Sequence, residues 1–312
     1  MDHNQERENN MLRTATIATL LLTPIAAADV VDFTDFSDTT GLAINGSAAP
    51  ATTSDGVVMR LTTALANRAG SIFSDAQVDA ADFSTKFSFR ISEPGGSIFD
   101  GNTENGADGI VFVVQPIDSA LGSLGQGIGY QGIATSLGIE FDTWHNSVNN
   151  DPSQSHVGIN IDGSVNHNSG LPTANITAPE LDDADQWFAW IDYDGTTLEV
   201  RLSLFDARPA NPLIAHQLDL PSILGQGTAF VGFTSATGAA WSNHDIINWS
   251  YDAYSPPCPA DLNDDGVLDF FDVSAFLSAY ADENPAADFT GDGNYDFFDV
   301  SAFLSAYAAG CP

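Results

Sequence analysis

Apolar and polar side chains alternate with period two in short runs between residues 29 and 254, among them 85–91, 109–114, 198–205 and 246–251. Clusters of Gly, Asn, Asp and Pro separate these runs. Such alternation puts one set of side chains on each face of a strand, and no long segment here sustains a helical period. The region therefore predicts an all-β fold, two sheets packed as a sandwich of about 225 residues.

The pattern changes at both ends. Residues 15–25 are apolar apart from threonines and Pro24, follow Arg13, and run into Ala26-Ala27-Ala28. A positive n-region, an apolar core too short to span a bilayer and a small-residue cleavage site predict an export signal over 1–28, with an extended polar n-region. No later stretch approaches the length of a transmembrane segment. Residues 255–257, Ser-Pro-Pro, read as a linker. Beyond it the period becomes helical: Val273, Phe276, Leu277 and Tyr280 form one apolar stripe, which recurs at Val300, Phe303, Leu304 and Tyr307. The expected organisation is a signal at 1–28, a sandwich at 29–254, a linker at 255–257 and a small helical module at 258–312.

Charge narrows the partners. The 312 residues carry 42 acidic side chains against 8 basic ones, a formal net charge of -34, with Lys86 the single lysine. No face can neutralise a row of phosphates, so nucleic acid and anionic membrane are poor partners. Aromatic residues at 10% separate the chain from acidic disordered sequences, where they are scarce. The two cysteines, Cys258 and Cys311, bracket the terminal module, and in an exported protein this placement predicts one disulfide.

The densest chemistry lies in Glu140-Phe-Asp142-Thr-Trp144-His-Asn146, followed by Asp151-Pro and His156-Val-Gly-Ile. On a strand Glu140 and Asp142 share one face while Ile139 and Phe141 take the other, and a hairpin returns His156 beside the two carboxylates. Carboxylates so placed repel unless a cation sits between them. The set offers an all-oxygen Ca²⁺ seat from Asp142, Asn146, Asp151 and the Trp144 carbonyl. It also offers a mixed seat with Glu140 and His156, suited to Mn²⁺ or a similar transition ion. A solvated acidic face is the plainer alternative; five ligand types within seventeen residues favour a cation.

These residues resemble the metal-binding signature of the legume-type (L-type) lectins. Three further stretches agree in order: Val31-Asp-Phe-Thr-Asp-Phe36, Ala107-Asp108-Gly109-Ile-Val-Phe-Val-Val114, and Val231 through Gly238-Ala239 to His244-Asp245. The resemblance implies a jelly-roll sandwich, with Glu140, Asp142, Asp151 and His156 as transition-metal ligands and Asp142, Trp144, Asn146 and Asp151 as calcium ligands. It further implies that Asp108 and Asn146 hydrogen-bond sugar hydroxyls, that Trp144 offers an aromatic face, and that Gly238 and Ala239 help select the monosaccharide. A cis bond is implied between Ala107 and Asp108. The usual glycine-borne donor corresponds to Gly127 in Gly125-Gln126-Gly127. A related jelly-roll glycosidase pattern, E-x-D-x-x-E, is broken here by His145, which removes one of two carboxylates the hydrolysis needs. A lectin rather than an enzyme is expected; a glycan-active hydrolase and a protein-binding structural adhesin are the alternatives.

The terminal residues contain one unit twice, 27 residues apart. Asp261, Asn263, Asp265, Val267, Asp269 and Asp272 occupy positions 1, 3, 5, 7, 9 and 12 of a calcium loop with Gly266 at its turn. Asp288, Thr290, Asp292, Asn294, Asp296 and Asp299 repeat the spacing. A loop followed by one helix, in tandem, resembles an EF-hand-like dockerin, which implies two Ca²⁺ ions and a cohesin-like or cell-surface protein partner. The expected whole is a secreted, calcium-dependent carbohydrate-binding protein tethered through this module.

Overall fold

The computed structural model describes residues 31–98, 106–117, 121–256, 258–263 and 267–311. The expected signal segment at 1–28 lies outside the described residues, as do Asp265 and Gly266 of the first terminal loop. Among the described residues sixteen strands form two antiparallel eight-stranded sheets. The first sheet runs, in spatial order, Thr173–Asn175, His156–Ile161, Leu137–Asp142, Gly109–Gln115, Thr228–Ala236, Ala69–Ser74 and Leu42–Gly46, with Val78–Asp79 paired to Thr228–Ala236. The second runs Ile214–Gln217, Thr197–Ser203, Gln186–Tyr193, Phe83–Gly96, Ala240–Asp252, Gly56–Thr62 and Ala49–Thr53. Val31–Phe33 pairs with the far end of Ala240–Asp252, so the two ends of the sandwich chain meet.

The alternation at 85–91 shows why these residues choose strands. Phe83, Phe87, Phe89 and Ile91 are fully buried, whereas Ser84, Lys86 and Arg90 between them are only half-buried. Phe87 meets Phe233 edge-on at 4.8 Å and Phe141 at 5.7 Å, across the gap between sheets. Each such ring contributes about 1.5–3 kcal/mol by burial, and an aromatic pair adds ~0.5–1.5 kcal/mol. The run expected at 198–205 ends at Ser203, because Phe205 is 44% exposed and turns away from the core.

The first sheet is covered on its other face as well. Phe73, Val111 and Val113 pack there under Ile128, Tyr130, Ile133 and Val165. Tyr130 fastens the 121–136 segment, its hydroxyl accepting from Gly163 N at 3.2 Å and from Ser136 Oγ at 2.9 Å. On the second sheet Arg60 forks onto Asp245 and Arg90 onto Asp55, each through two 2.7 Å bonds, and Arg201 and Arg208 converge on Asp192. These four arginines are thus engaged by carboxylates of the scaffold. No basic patch is left for an anionic polymer among these residues.

Cys258 and Cys311 are bonded, closing the terminal module. Its helices, Phe270–Ala281 and Phe297–Ala309, start at Asp269 and Asp296, each of which forms a reciprocal capping box with the Asp three residues on. Phe276 and Phe303 stack at 4.1 Å with planes 4° apart, and Phe289 packs edge-on against both. The expected stripe is narrower than its period suggests. Leu277 and Leu304 are 58% and 53% exposed, because two helices sharing one small core close on Phe276 and Phe303 and leave the flanking leucines outside. No helix of the described residues is long and apolar enough to cross a membrane.

Truncating the stacked pair tests this packing. Phe276→Ala should cost about 3–5 kcal/mol, more than a module of this size can spare, and so release amide protection across both terminal helices. Protection in the sandwich strands should stay unchanged. Retained helix protection, read by hydrogen exchange on the full chain, would show that the disulfide alone holds the helices.

Candidate functional site

Three neighbouring strands build one row of chemistry. Leu137–Asp142 lies between Gly109–Gln115 and His156–Ile161, with Asp142 opposite Gly109 on one side and His156 on the other. One step along, Glu140 stands opposite Val111 and Gly158. Ile139 and Phe141 point into the main core, so Glu140 and Asp142 face away from it, as period two requires. The loops 121–136 and 143–155 then roof this face, and Glu140, Asp142, Asp151 and His156 are all buried.

Hydrogen bonds hold the carboxylates in place. Asp142 Oδ1 accepts from Trp144 N at 2.7 Å and Asp151 Oδ2 from Asn146 N at 2.6 Å, which closes the loop between them. Glu140 Oε2 accepts from Asn160 Nδ2 at 2.6 Å. Its other oxygen lies 2.7 Å from Nε2 of His167 and 3.4 Å from Nε2 of His156. Glu140, His156 and His167 form a cluster able to hold a metal ion. His167 was not among the residues the sequence singled out. It sits eleven residues past His156 in a polar segment without alternation, and the Asn166 side chain that caps its short turn is the only local signal.

At the sheet's end the Ala107–Asp108 bond is cis, in line with the resemblance. Asp108 is 4% exposed, its N–H donates to Ala236 O, its carbonyl accepts from Thr143 N, and its Oδ2 is buried without a hydrogen-bond partner. Asn146 Oδ1 is likewise buried and unpartnered. Beside Asp108, Gly109 has φ +129°, and a Cβ there would lie 2.3 Å from Phe141 O, so only glycine fits. His244 supports this corner: Nε2 accepts from Gly109 N at 3.2 Å, which leaves Nδ1 to donate to Thr62 Oγ1 at 2.6 Å. Burial, helped by the Arg60 charge, holds its pKa down to about 3, so the ring stays neutral.

Three expectations change. Trp144 is only 8% exposed and clusters with Ala107 and Ala240, so its ring walls the corner and offers a ligand a narrow strip rather than a broad platform. The Gly127 N–H turns back to Leu124 O at 3.3 Å within the Gly125–Gly127 turn, so it is engaged in its own loop. Gly238 N–H is engaged too, with Ala240 O at 3.1 Å, while Ala239 is exposed at the rim. Gly125 and Gly238 nonetheless bring their backbones together: a Cβ on Gly238 would lie 3.4 Å from the Gly125 Cα and 3.7 Å from Asp108 Oδ2. Three loops thus meet at the Asp108 carboxylate.

In the terminal loops the twelfth-position carboxylates turn inward. Asp272 accepts from Leu262 N and Asp269 N, and Asp299 from Thr290 N and Asp296 N, at 2.8–3.0 Å. Asp288 accepts the amides of Gly291, Asp292 and Gly293, the tight wrap of a loop around one carboxylate. A carboxylate has about four lone-pair sites, so these bonds leave acceptor capacity.

The buried carboxylates oppose one another. Burial pushes Asp108 up to about 8, against the pull of the nearby Gly238 backbone amide. Burial, then the charges of Glu140 and Asp151, drives Asp142 well above the usual range, and burial raises Asp151 as well. Glu140 goes the other way: the imidazoles of His156 and His167 beside its Oε1 overcome its burial and hold it ionised. His167 is raised, since its bond to Glu140 outweighs burial.

A family model for the legume lectin domain matches residues 30–265. The L-type lectin-domain containing receptor kinase IV.2 of Arabidopsis thaliana is 34% identical over 205 residues, 57% of this chain and 28% of that protein. The chain thus spans less than a third of the kinase it matches. Truncated lectin 2 of Medicago truncatula is 27% identical over 264 residues, covering 76% of this chain and 88% of that one. The solved structure of basic winged bean lectin with Tn-antigen superposes with a TM-score of 0.57 at 26% identity, over 73% of this chain and 99% of the other.

The raised carboxylates set a pH dependence. A group whose folded pKa exceeds its unfolded value contributes fully below the unfolded pKa and loses that contribution as pH rises through the folded one. Asp108, Asp142, Asp151 and His167 all act in this sense, while Glu140 is ionised in both states above about pH 5. Without metal, the melting temperature should therefore fall by about 5 °C or more between about pH 7 and pH 8.5; below about pH 7 the buried neutral His244 gives the opposite slope, because its folded pKa of about 3 lies under its unfolded value. Saturating calcium and a transition ion should flatten the slope. A metal-free protein that gains stability toward pH 8 would contradict the carboxylate cluster.

Proposed function

Because the chain belongs to the legume lectin family, we propose that its sandwich binds carbohydrate, with cations holding the site in its binding shape. One observation carries this reading: Asp108 Oδ2 and Asn146 Oδ1 are buried oxygens without partners, and both positions are those the family resemblance gives to sugar hydroxyls. An unsatisfied buried acceptor costs about 1–3 kcal/mol, a debt that a ligand hydroxyl or a cation relieves. Legume lectins bind Ca²⁺ and Mn²⁺, and the residues present suit such ions. Asp142, Asp151, Asn146 and the Trp144 carbonyl supply oxygens for calcium, and Glu140, Asp142, Asp151 and His156 the donors for the transition ion. A bound cation would stabilise the ionised form of the raised carboxylates and fix the loop bearing Asn146.

Hydrolysis fits less well. Glu140 is fully buried and held by Asn160 and His167, so it has no open face for a glycosidic bond, and His145 replaces the second carboxylate. Export follows from the signal-like segment at 1–28 and agrees with the disulfide. The module at 258–312 is read as a dockerin-like tether, its two loops each taking one Ca²⁺ and its helices docking on a cohesin-like or cell-surface protein. Exposed Phe270, Phe271, Phe297 and Phe298, each 65–74% open, supply apolar surface for that contact.

Two measurements test the reading. Tn-antigen, the ligand in the winged bean structure, is the first probe, followed by a glycan array to identify the sugar. Asp108→Ala should lower glycan affinity at least about 100-fold while the melting temperature in excess calcium moves by under about 2 °C, since the carboxylate is a poor contributor to folding where it sits. Asp142→Ala, or stripping metal at low pH, should abolish binding. Undiminished affinity of the Asp108 variant would move the sugar site elsewhere. For the module, chelator should remove helical protection at 270–309 and release any captured envelope protein; helices indifferent to chelator would sink the calcium-loop assignment.

A further inference from the structure

The Glu140 pocket contains one donor more than the resemblance accounts for. His167 reaches it from the turn His167–Ser169, which is anchored to the neighbouring loop by a bond from His167 N to Asn149 O at 2.9 Å. Its Nε2 lies 2.7 Å from Glu140 Oε1, 3.3 Å from His156 Nε2 and 3.6 Å from Asp151 Oδ1. We propose that His167 is a direct metal ligand, making the inner seat a two-imidazole, carboxylate site that selects zinc, or another borderline divalent ion such as cobalt or copper, over manganese. The proposal rests on the reading of this pocket as a cation site, and goes beyond it in naming the ligand and the ion class.

Several observations converge. His156 Nδ1 sits 3.2 Å from Ser153 O, which makes Nδ1 the N–H and leaves the Nε2 lone pair facing the cluster. Glu140 is oriented by Asn160, so its free oxygen also faces inward. The Glu140, His156 and His167 donor atoms are 2.7, 3.3 and 3.4 Å apart. Donors on one ion at about 2.1 Å lie about 3.0 Å apart at right angles and about 3.4 Å at the tetrahedral angle, so two sides of this triangle already fit a shared ion and the 2.7 Å Glu140–His167 side would open by about 0.3 Å. Room for the second ring is specifically provided. A Cβ on Gly158 would lie 2.6 Å from Glu140 Oε1 and 3.0 Å from His167 Cε1, so any larger residue would push the two apart. His167 is nearly buried, with a side-chain exposure of 6%, and its Nδ1 has no partner. In the metal-free protein a proton on His167 joins that ring to Glu140, and a divalent ion would take the place of that proton.

The donor set decides which electrophile. Oxygen-rich sites suit manganese and calcium, whereas imidazole nitrogen favours ions further along the divalent series. Replacing an oxygen donor by a second imidazole shifts the balance that way. The His167 backbone also bonds to Asn149 O, in the loop carrying Asn146, so an ion in the inner seat would steady the calcium loop from behind.

The test uses the full chain, stripped of metal and then given calcium. Zinc, cobalt and manganese are titrated separately by calorimetry into the natural sequence, His167→Ser, and a His145→Ser control at an exposed histidine. Zinc should bind at least about tenfold tighter than manganese, and His167→Ser should lose about 100-fold in zinc affinity with under tenfold change for manganese. The cobalt absorption spectrum should shift in His167→Ser only. Should that variant fold poorly, pulsed electron paramagnetic resonance of the copper-loaded natural sequence counts coordinated imidazoles directly: two support the proposal, one overturns it. Equal zinc affinity in both proteins, or no transition-ion binding at all, would make His167 merely an ion-pair partner of Glu140. Glycan binding is read in parallel with calcium alone. Loss of the metal result with glycan binding intact refutes this inference and spares the lectin reading; zinc binding through His167 without any glycan binding does the reverse.

Discussion

Four carboxylates, Asp108, Glu140, Asp142 and Asp151, are packed out of water at one end of one sheet, and their mutual repulsion is the constraint on which the site depends. Isolated buried charge is among the most costly things a fold can contain, and ordinarily it is neutralised or paired. Among the described residues no arginine or lysine is paired with these carboxylates. Arg60, Arg90, Arg201 and Arg208 serve Asp245, Asp55 and Asp192 on the other sheet, which leaves imidazoles and exogenous ions to balance the cluster. The same carboxylates accept the loop amides of Trp144 and Asn146, so whatever neutralises the pocket would also bear on the loop above it.

The scaffold tolerates such a pocket because its stability is raised elsewhere. The ring cluster around Phe87, Phe141 and Phe233 fills the space between the sheets, and the smaller core under Tyr130 pins the 121–136 segment on the outside. Gly109, opposite Asp142 in register, lets the backbone pass close enough for Asp108 to enter the same corner. A neutral His244 between Gly109 and Thr62 holds that corner from the second sheet without adding charge to it. A protonated ring there would be attracted to the carboxylates and would lose its acceptor nitrogen, so its low pKa is part of the design of the corner.

What could be read from the sequence followed from regular spacing. Period two placed Glu140 and Asp142 on one face and Ile139 and Phe141 on the other, and the hairpin that pairs Asp142 with His156 follows from turn residues between two alternating runs. The cysteine placement gave the disulfide. What spacing cannot show is where a loop side chain points. His167 comes from a polar stretch whose path over the sheet is set by Asn149 and Val165, so no periodicity announced it. Trp144 carried the right residue type for a sugar platform, yet the packing of Ala107 and Ala240 against it draws most of the ring inside. Leu277 and Leu304 obeyed the helical period and still lie outside, because a two-helix core is narrower than the stripe that predicts it.

The two parts of the chain present different donors to the same solution. On the two-imidazole reading, the Glu140 pocket is dry and carries nitrogen, so it discriminates by softness and by the size of a rigid triangle. The second terminal loop offers oxygen only, on a wrap of backbone around Asp288, so on the calcium-loop reading it would discriminate by charge and by the number of oxygens that can gather. Between Cys258 and Pro312 there are eleven carboxylates and no basic residue, so here too the compact state has no internal counterion. Calcium in excess would serve both the loop at Asn146 and the module, whereas a scarce transition ion would act on the inner seat alone.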